Sequence, residues 1–166
     1  MKTRIIPALI PALALTVMQS AALAAPGSAS GPNALALAAV IAQHSPVVRA
    51  FDKRVIARLF RGNTNFGFTP NTKISVDAGP VVCRVSNVDI TLRSCELNFG
   101  ARKRTLTGRD ANEVGATMAA AGIPSEGAAG SSIESVTKLR CTIDPNEIMQ
   151  KAGGGADCSF EPSSCI

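Results

Sequence analysis

Residues 74–99 read ISVDAGPVVCRVSNVDITLRSCELNF, and their period decides the fold. Ile74 and Val76 alternate with polar residues, Val81, Cys83 and Val85 make a second alternating set, and Val88, Ile90 and Leu92 a third. A period of two sends successive side chains to opposite faces, so the stretch predicts antiparallel sheet with one buried face. Ala78-Gly79-Pro80 and Ser86-Asn87 supply the expected turns. The parity then shifts at Arg93-Ser94, because Cys95, Leu97 and Phe99 fall on odd numbers. A one-residue slip would turn the apolar set outward, so a bulge or break is expected there. Gly100-Ala101 turns the chain into a further strand at 102–107.

On either side the period lengthens to that of helices. Asn33 is placed to cap a helix from Ala34 to about Gln43, apolar almost all round. Ser45 is placed to cap a second helix with Pro46 at its first position. Val48, Phe51, Val55 and Leu59 would form its buried line, with Arg49, Asp52, Lys53, Arg54 and Arg58 off it. Thr107 and Asp110 resemble a capping box that opens a helix to about Ala121. Ala111, Val114, Met118 and Ala121 are its inner line, and Gly122 and Pro124 stop it.

Val136 to Ile143 reads as a strand with Leu139, Cys141 and Ile143 on one face, although Ser131 and Glu134 have the spacing of a helix cap. Asp144-Pro145 can start one helical turn, and Gly153-Gly154-Gly155 leads on to Cys158 and Phe160. The order predicts an α+β fold: an antiparallel sheet of about four to six strands, with two N-terminal helices and one later helix packed on one face, stapled by disulfides.

The first residues bear on location. Lys2 and Arg4 precede an apolar run from Ile5 to Val17, and Ala22-Leu23-Ala24 has the form of a cleavage site. Residues 1–24 therefore read as a secretory signal peptide, 25–32 as a flexible leader and 33–166 as a single small α+β domain. Pro7 and Pro11 interrupt the apolar run, which is also short for a retained anchor. Loss of Lys2 and Arg4 lowers the formal net charge from +5 to +3. That permits attraction to anionic surfaces without demanding a nucleic acid. No transmembrane span is expected after cleavage, and the destination is periplasmic or extracellular.

An oxidising destination lets the five cysteines pair. Cys83–Cys95 and Cys141–Cys158 each flank a short segment and are the preferred bridges. Cys165 is then the spare thiol, or the partner of Cys158 in the leading alternative. No C-x2-C or Cys/His cluster suggests a metal, so neither metal nor cofactor is expected.

Candidate chemistry is sparse. The one histidine, His44, ends an apolar helix, where positive charge complements the dipole without any catalysis. No serine sits in a G-x-S-x-G elbow. Asp89 with Glu96, and Asp110 with Glu113, are the carboxylate pairs a glycosidase would need, but they read as strand-surface and helix-first-turn residues. The glycine run 153–155 lacks the lysine of a phosphate loop and reads as a connector. Arg102-Lys103-Arg104, with Arg109 close behind, is the densest charge and the candidate anion contact. Its bland reading is a cationic edge strand that discourages sheet aggregation. Phe66 and Phe68 are the other candidate contact. With no Trp or Tyr, platforms for stacking bases are missing and no nucleic-acid partner is expected.

The expectation is a non-catalytic exported protein that binds an envelope or extracellular macromolecule of acidic character. The alternatives are a cell-wall or polysaccharide hydrolase working through carboxylates, and a structural envelope component that self-associates.

Overall fold

The expected flexible leader contains an ordered strand: Ser28–Ser30 (β1) lies along the edge of the sheet. Its small residues give steric permission rather than mobility. The Gly27 carbonyl accepts the Phe160 N–H at 2.9 Å, and a Cβ at Gly27 would collide with Ala121. Gly31, at φ +66°, then makes the left-handed turn that only glycine enters without strain. The computed structural model describes residues 27–65, 71–86, 88–89, 92–127 and 130–162. The signal-like residues 1–24, the pair Phe66 and Phe68, and Cys165 lie outside the described residues.

After Gly31 come the helices Gly31–His44 (α1) and Ala50–Phe60 (α2), and the strands Ile74–Ala78 (β2), Val81–Ser86 (β3), Arg93–Phe99 (β4) and Arg102–Thr107 (β5). Helix Gly108–Ala120 (α3), strands Ser125–Glu126 (β6) and Ser131–Ile143 (β7), helix Pro145–Gln150 (α4) and strand Ala156–Pro162 (β8) complete the order. Among the described residues the eight strands make one antiparallel sheet with neighbours β1-β8-β7-β3-β4-β5, and β2 and β6 also pair with β7. Mixed α+β architecture is as expected, and the strand count exceeds the four to six expected because β1, β6 and β8 were not read as strands from the pattern.

The long strand β7 organises the sheet. Ile74 lies opposite Ile143, Ala78 opposite Leu139, Val81 opposite Val136 and Ser86 opposite Ser131. Partner numbers keep one register throughout, so β2 and β3 are one strand line interrupted at Gly79-Pro80. The expected turn at 78–80 is instead a kink, because both halves pair with the same partner. Asn98 secures it: Gly79 N–H donates to the Asn98 carbonyl at 2.9 Å, and the Asn98 side chain donates to the Pro80 carbonyl at 2.7 Å.

A second correction concerns the third alternating set. Val88 and Leu92 are 90% and 65% exposed and belong to the connection from β3 to β4. Ile90 lies outside the described residues. The parity shift at Arg93-Ser94 therefore marks the start of a new strand, not a bulge. From there the reading holds, with Cys95, Leu97 and Phe99 buried and a tight turn at Gly100-Ala101.

On one face of the sheet sit α1 and α3. Leu37 and Ile41 of α1 and Val114 and Met118 of α3 meet Val76, Leu97, Leu139 and Phe160 in a single core. The other face is polar and carries ion pairs, Arg140–Asp77 at 2.7 Å and Lys103–Glu96 at 3.3 Å. The bond to Asp77 raises the Arg140 guanidinium above its ordinary value. Both expected disulfides are present, Cys83–Cys95 and Cys141–Cys158, each between directly opposed residues on the buried face.

Helix α2 lies mainly on α1, as an outer layer, and starts later than expected. Ser45 is buried, and its hydroxyl accepts the Val47 and Val48 N–H groups at 3.3 Å, closing a turn rather than opening a helix. The buried line is Asp52, Val55, Ile56 and Leu59, while Phe51 is 38% exposed. Asp52 tolerates the inner position because Arg49 Nε donates to it at 2.8 Å. Helix α4 starts as expected, with Asp144 accepting the Asn146 and Glu147 N–H groups. Among the described residues no helix is long and apolar enough to cross a membrane.

Candidate functional site

Helix α1 is apolar on more sides than the sheet can cover. Ala34, Leu37, Ala38 and Ile41 face inward. The opposite stripe, Ala36, Ala39, Val40 and Gln43, recurs at helical spacing and forms the floor of a groove of about 670 Å³. The size is in the range of ligand-binding clefts. One wall is α2, through Lys53, Arg54, Ala57, Arg58 and Phe60, with Arg61 just beyond its end. The other is the first turns of α3, through Arg109, Asp110 and Glu113.

Five cationic side chains therefore stand around an apolar floor, against two carboxylates. Cations that line one groove give it a positive field, which the two carboxylates offset in part. Two of the cations also brace the wall: Arg58 donates to the Asn65 carbonyl at 3.0 Å and Arg61 to the Ala57 carbonyl at 3.1 Å.

At the end of α1, His44 Nε2 lies 2.9 Å from Asp110 Oδ2. An ionised carboxylate only accepts, so the imidazole carries its proton on Nε2. His44 lies in the last turn of α1, and Asp110 in the first turn of α3, where the helix dipole favours its carboxylate. The expected capping box is replaced by this bond. Thr107 holds the N-cap position of α3 without a side-chain cap bond among the described residues. The neighbouring Ser45 is buried, and its hydroxyl accepts two backbone N–H groups.

The basic run predicted from sequence lies elsewhere. Arg102, Lys103 and Arg104 are exposed on the edge strand β5, opposite Phe99, Asn98 and Leu97. Strand alternation puts Arg102 and Arg104 on the face of Leu106, and Lys103 on the opposite face beside Glu96. The three do not converge. Arg109, grouped with them by sequence, turns instead into the groove. Of the carboxylate pairs, Glu96 is engaged with Lys103, whereas Asp110 and Glu113 share the groove wall. The glycine run connects α4 to β8, with Gly153 and Gly155 at positive φ.

One further polar cluster escaped the sequence. Arg93 lies beneath α3 at Gly115, with Nη2 3.5 Å from the buried Glu134, whose Oε1 also accepts from Ser125 Oγ at 3.0 Å. It is a structural bridge between β4 and β7. Among the described residues no group of three or more His, Cys, Asp or Glu is arranged to hold a metal.

No protein-family model, curated protein or solved structure matches this chain.

Proposed function

We propose that this chain is an exported, non-catalytic binding protein that receives an acidic macromolecule of the envelope or extracellular space in the α1–α2–α3 groove. The observation that carries the reading is the gathering of five cations around an apolar floor. The signal-like leader Lys2–Ala24 and the two disulfides support an oxidising, non-cytoplasmic destination. The contact assigned by sequence to Arg102, Lys103 and Arg104 gains less support, since those side chains divide between two faces of an edge.

The test is affinity capture from the native envelope fraction with three proteins: wild type, Lys53→Glu/Arg54→Glu, and Arg102→Glu/Lys103→Glu/Arg104→Glu. The groove variant is expected to lose an acidic partner that the other two retain. Loss only in the β5 variant would move the contact to the edge strand. Equal recovery by all three would remove charge recognition at both places.

One observation favours a second reading, hydrolysis of a polysaccharide. Asp110 and Glu113 line the same groove three residues apart on α3, which helix geometry translates to Cβ atoms about 5–6 Å apart. Both come from one wall, however, whereas a glycosidase places its carboxyls on either side of the scissile bond. Release of reducing ends from peptidoglycan or an acidic polysaccharide, abolished by Glu113→Gln, would establish it. Self-association is served poorly by the strands at the two ends of the sheet, β1 being three residues long and β5 lined with cations. A clean monomer in sedimentation is the expected result.

A further inference from the structure

We infer that the occupant of the groove is an amphipathic α-helix of a partner protein, with acidic residues along the flank that faces α2. The inference rests on the binding reading above and adds the shape and charge pattern of the partner.

Three features of the groove lead there. The floor is a stripe of Ala36, Ala39 and Val40, small side chains at helical spacing on the outer side of a helix. Small residues let a second backbone approach closely and leave a seam that an i, i+3, i+4, i+7 apolar stripe can fill. The cations of α2 are also strung out rather than clustered. Lys53 and Arg54 stand at one end of the wall and Arg61 at the other. Eight residues of helical rise separate the ends by about 12 Å. A fatty acid or phospholipid brings its negative charge at one end only, so it would leave half of this wall unanswered. Acids repeated every three or four residues along a helix would meet all of it.

The third feature is the opposite wall. Asp110 and Glu113 stand there beside Arg109. A uniformly anionic rod, such as an acidic polysaccharide, would be repelled by these carboxylates along one side. A helix with acids on one flank and neutral or basic residues on the other fits both walls, and the asymmetry fixes its orientation. The leader of this chain is a poor occupant by the same test, because its charged residues are Lys2 and Arg4.

The test is selection from a randomised peptide library, with peptides of about 16 residues or four and a half helical turns, on the immobilised disulfide-bonded protein. Palmitate and phosphatidylglycerol vesicles serve as competing probes. Enriched peptides are expected to show Asp or Glu at helical spacing beside a small apolar seam, and to gain helical circular dichroism on binding. Their affinity should fall at least tenfold with Lys53→Glu/Arg54→Glu and with Ala39→Arg, an outward substitution that obstructs the floor. Enriched peptides without helical periodicity, no enrichment at all, or displacement by palmitate or the vesicles would overturn the helical occupant. If the capture experiment still showed groove-dependent recovery, the binding reading would survive that result. Capture insensitive to the groove variant would sink the binding reading itself.

Discussion

His44 and Asp110, 66 residues apart in sequence, meet at 2.9 Å and tie the last turn of α1 to the first turn of α3. The bond holds the floor and one wall of the groove in fixed relation. Asp110 stands in the first turn of α3, where the helix dipole favours a carboxylate. Both side chains are partly exposed, at 28% and 37%, so solvent screens the pair.

Asp110→Ala is accordingly expected to lower stability by only about 0.5–1 kcal/mol. Urea denaturation followed by circular dichroism measures it, with an unchanged m-value. A loss well above 2 kcal/mol would mean that the residue does more than bridge the helices.

The two disulfides carry a larger share. Each closes a short loop, with sequence separations of 12 and 17. Paired Cys→Ala replacement at either bridge is expected to cost about 3 kcal/mol on the chain-entropy account. Thiol titration of the unreduced protein should find Cys83, Cys95, Cys141 and Cys158 unreactive.

The core and the β3–β4 connection respond oppositely to truncation. Leu97 is fully buried, and Leu97→Ala should cost about 2–5 kcal/mol. Val88, which belongs to the preceding alternating set in sequence, is 90% exposed, and Val88→Ser should fall within about 0.5 kcal/mol of wild type. Equal penalties would return Val88 to the sheet.

Gly31 turns the chain from β1 into α1 at φ +66°. Gly31→Ala forces an L side chain into the left-handed region beside the Gly153 carbonyl, at an expected cost of about 1–2 kcal/mol. Faster amide exchange at Ala29 would accompany it if β1 is held through this turn.

What the sequence made legible was local. Alternation at Val81, Cys83 and Val85, the small inner line of α3 and the Asp144 cap are properties of a few neighbouring residues, and each is found where the pattern put it. The pairing of opposed cysteines was readable because their loops are short. What depended on distant partners was not. Val88 and Leu92 alternate like a strand, yet the β3–β4 crossing uses them as loop. The Gly79-Pro80 kink looks like a turn until β7 is seen to pair with both sides of it. Asp52 and Phe51 exchange the positions that hydrophobicity assigns, and Arg49 reaches the Asp52 carboxylate from the solvent side.

The candidate site was the least visible part. Sequence marked density of charge, which is highest at Arg102–Arg104, whereas the groove assembles Lys53, Arg54, Arg58, Arg61 and Arg109 from two helices. The outer stripe of α1 was in view as an apolar helix, and only the packing of α2 and α3 beside it makes that stripe a floor.

Site-specific photo-crosslinking in the native cell addresses the groove directly. A photoreactive amino acid replaces Gln43, at the exposed end of the floor, or Lys103 on the edge strand. An adduct with an acidic protein from position 43 and none from position 103 is the predicted result. Adducts confined to position 103, or absent from position 43, would contradict the groove as the binding site.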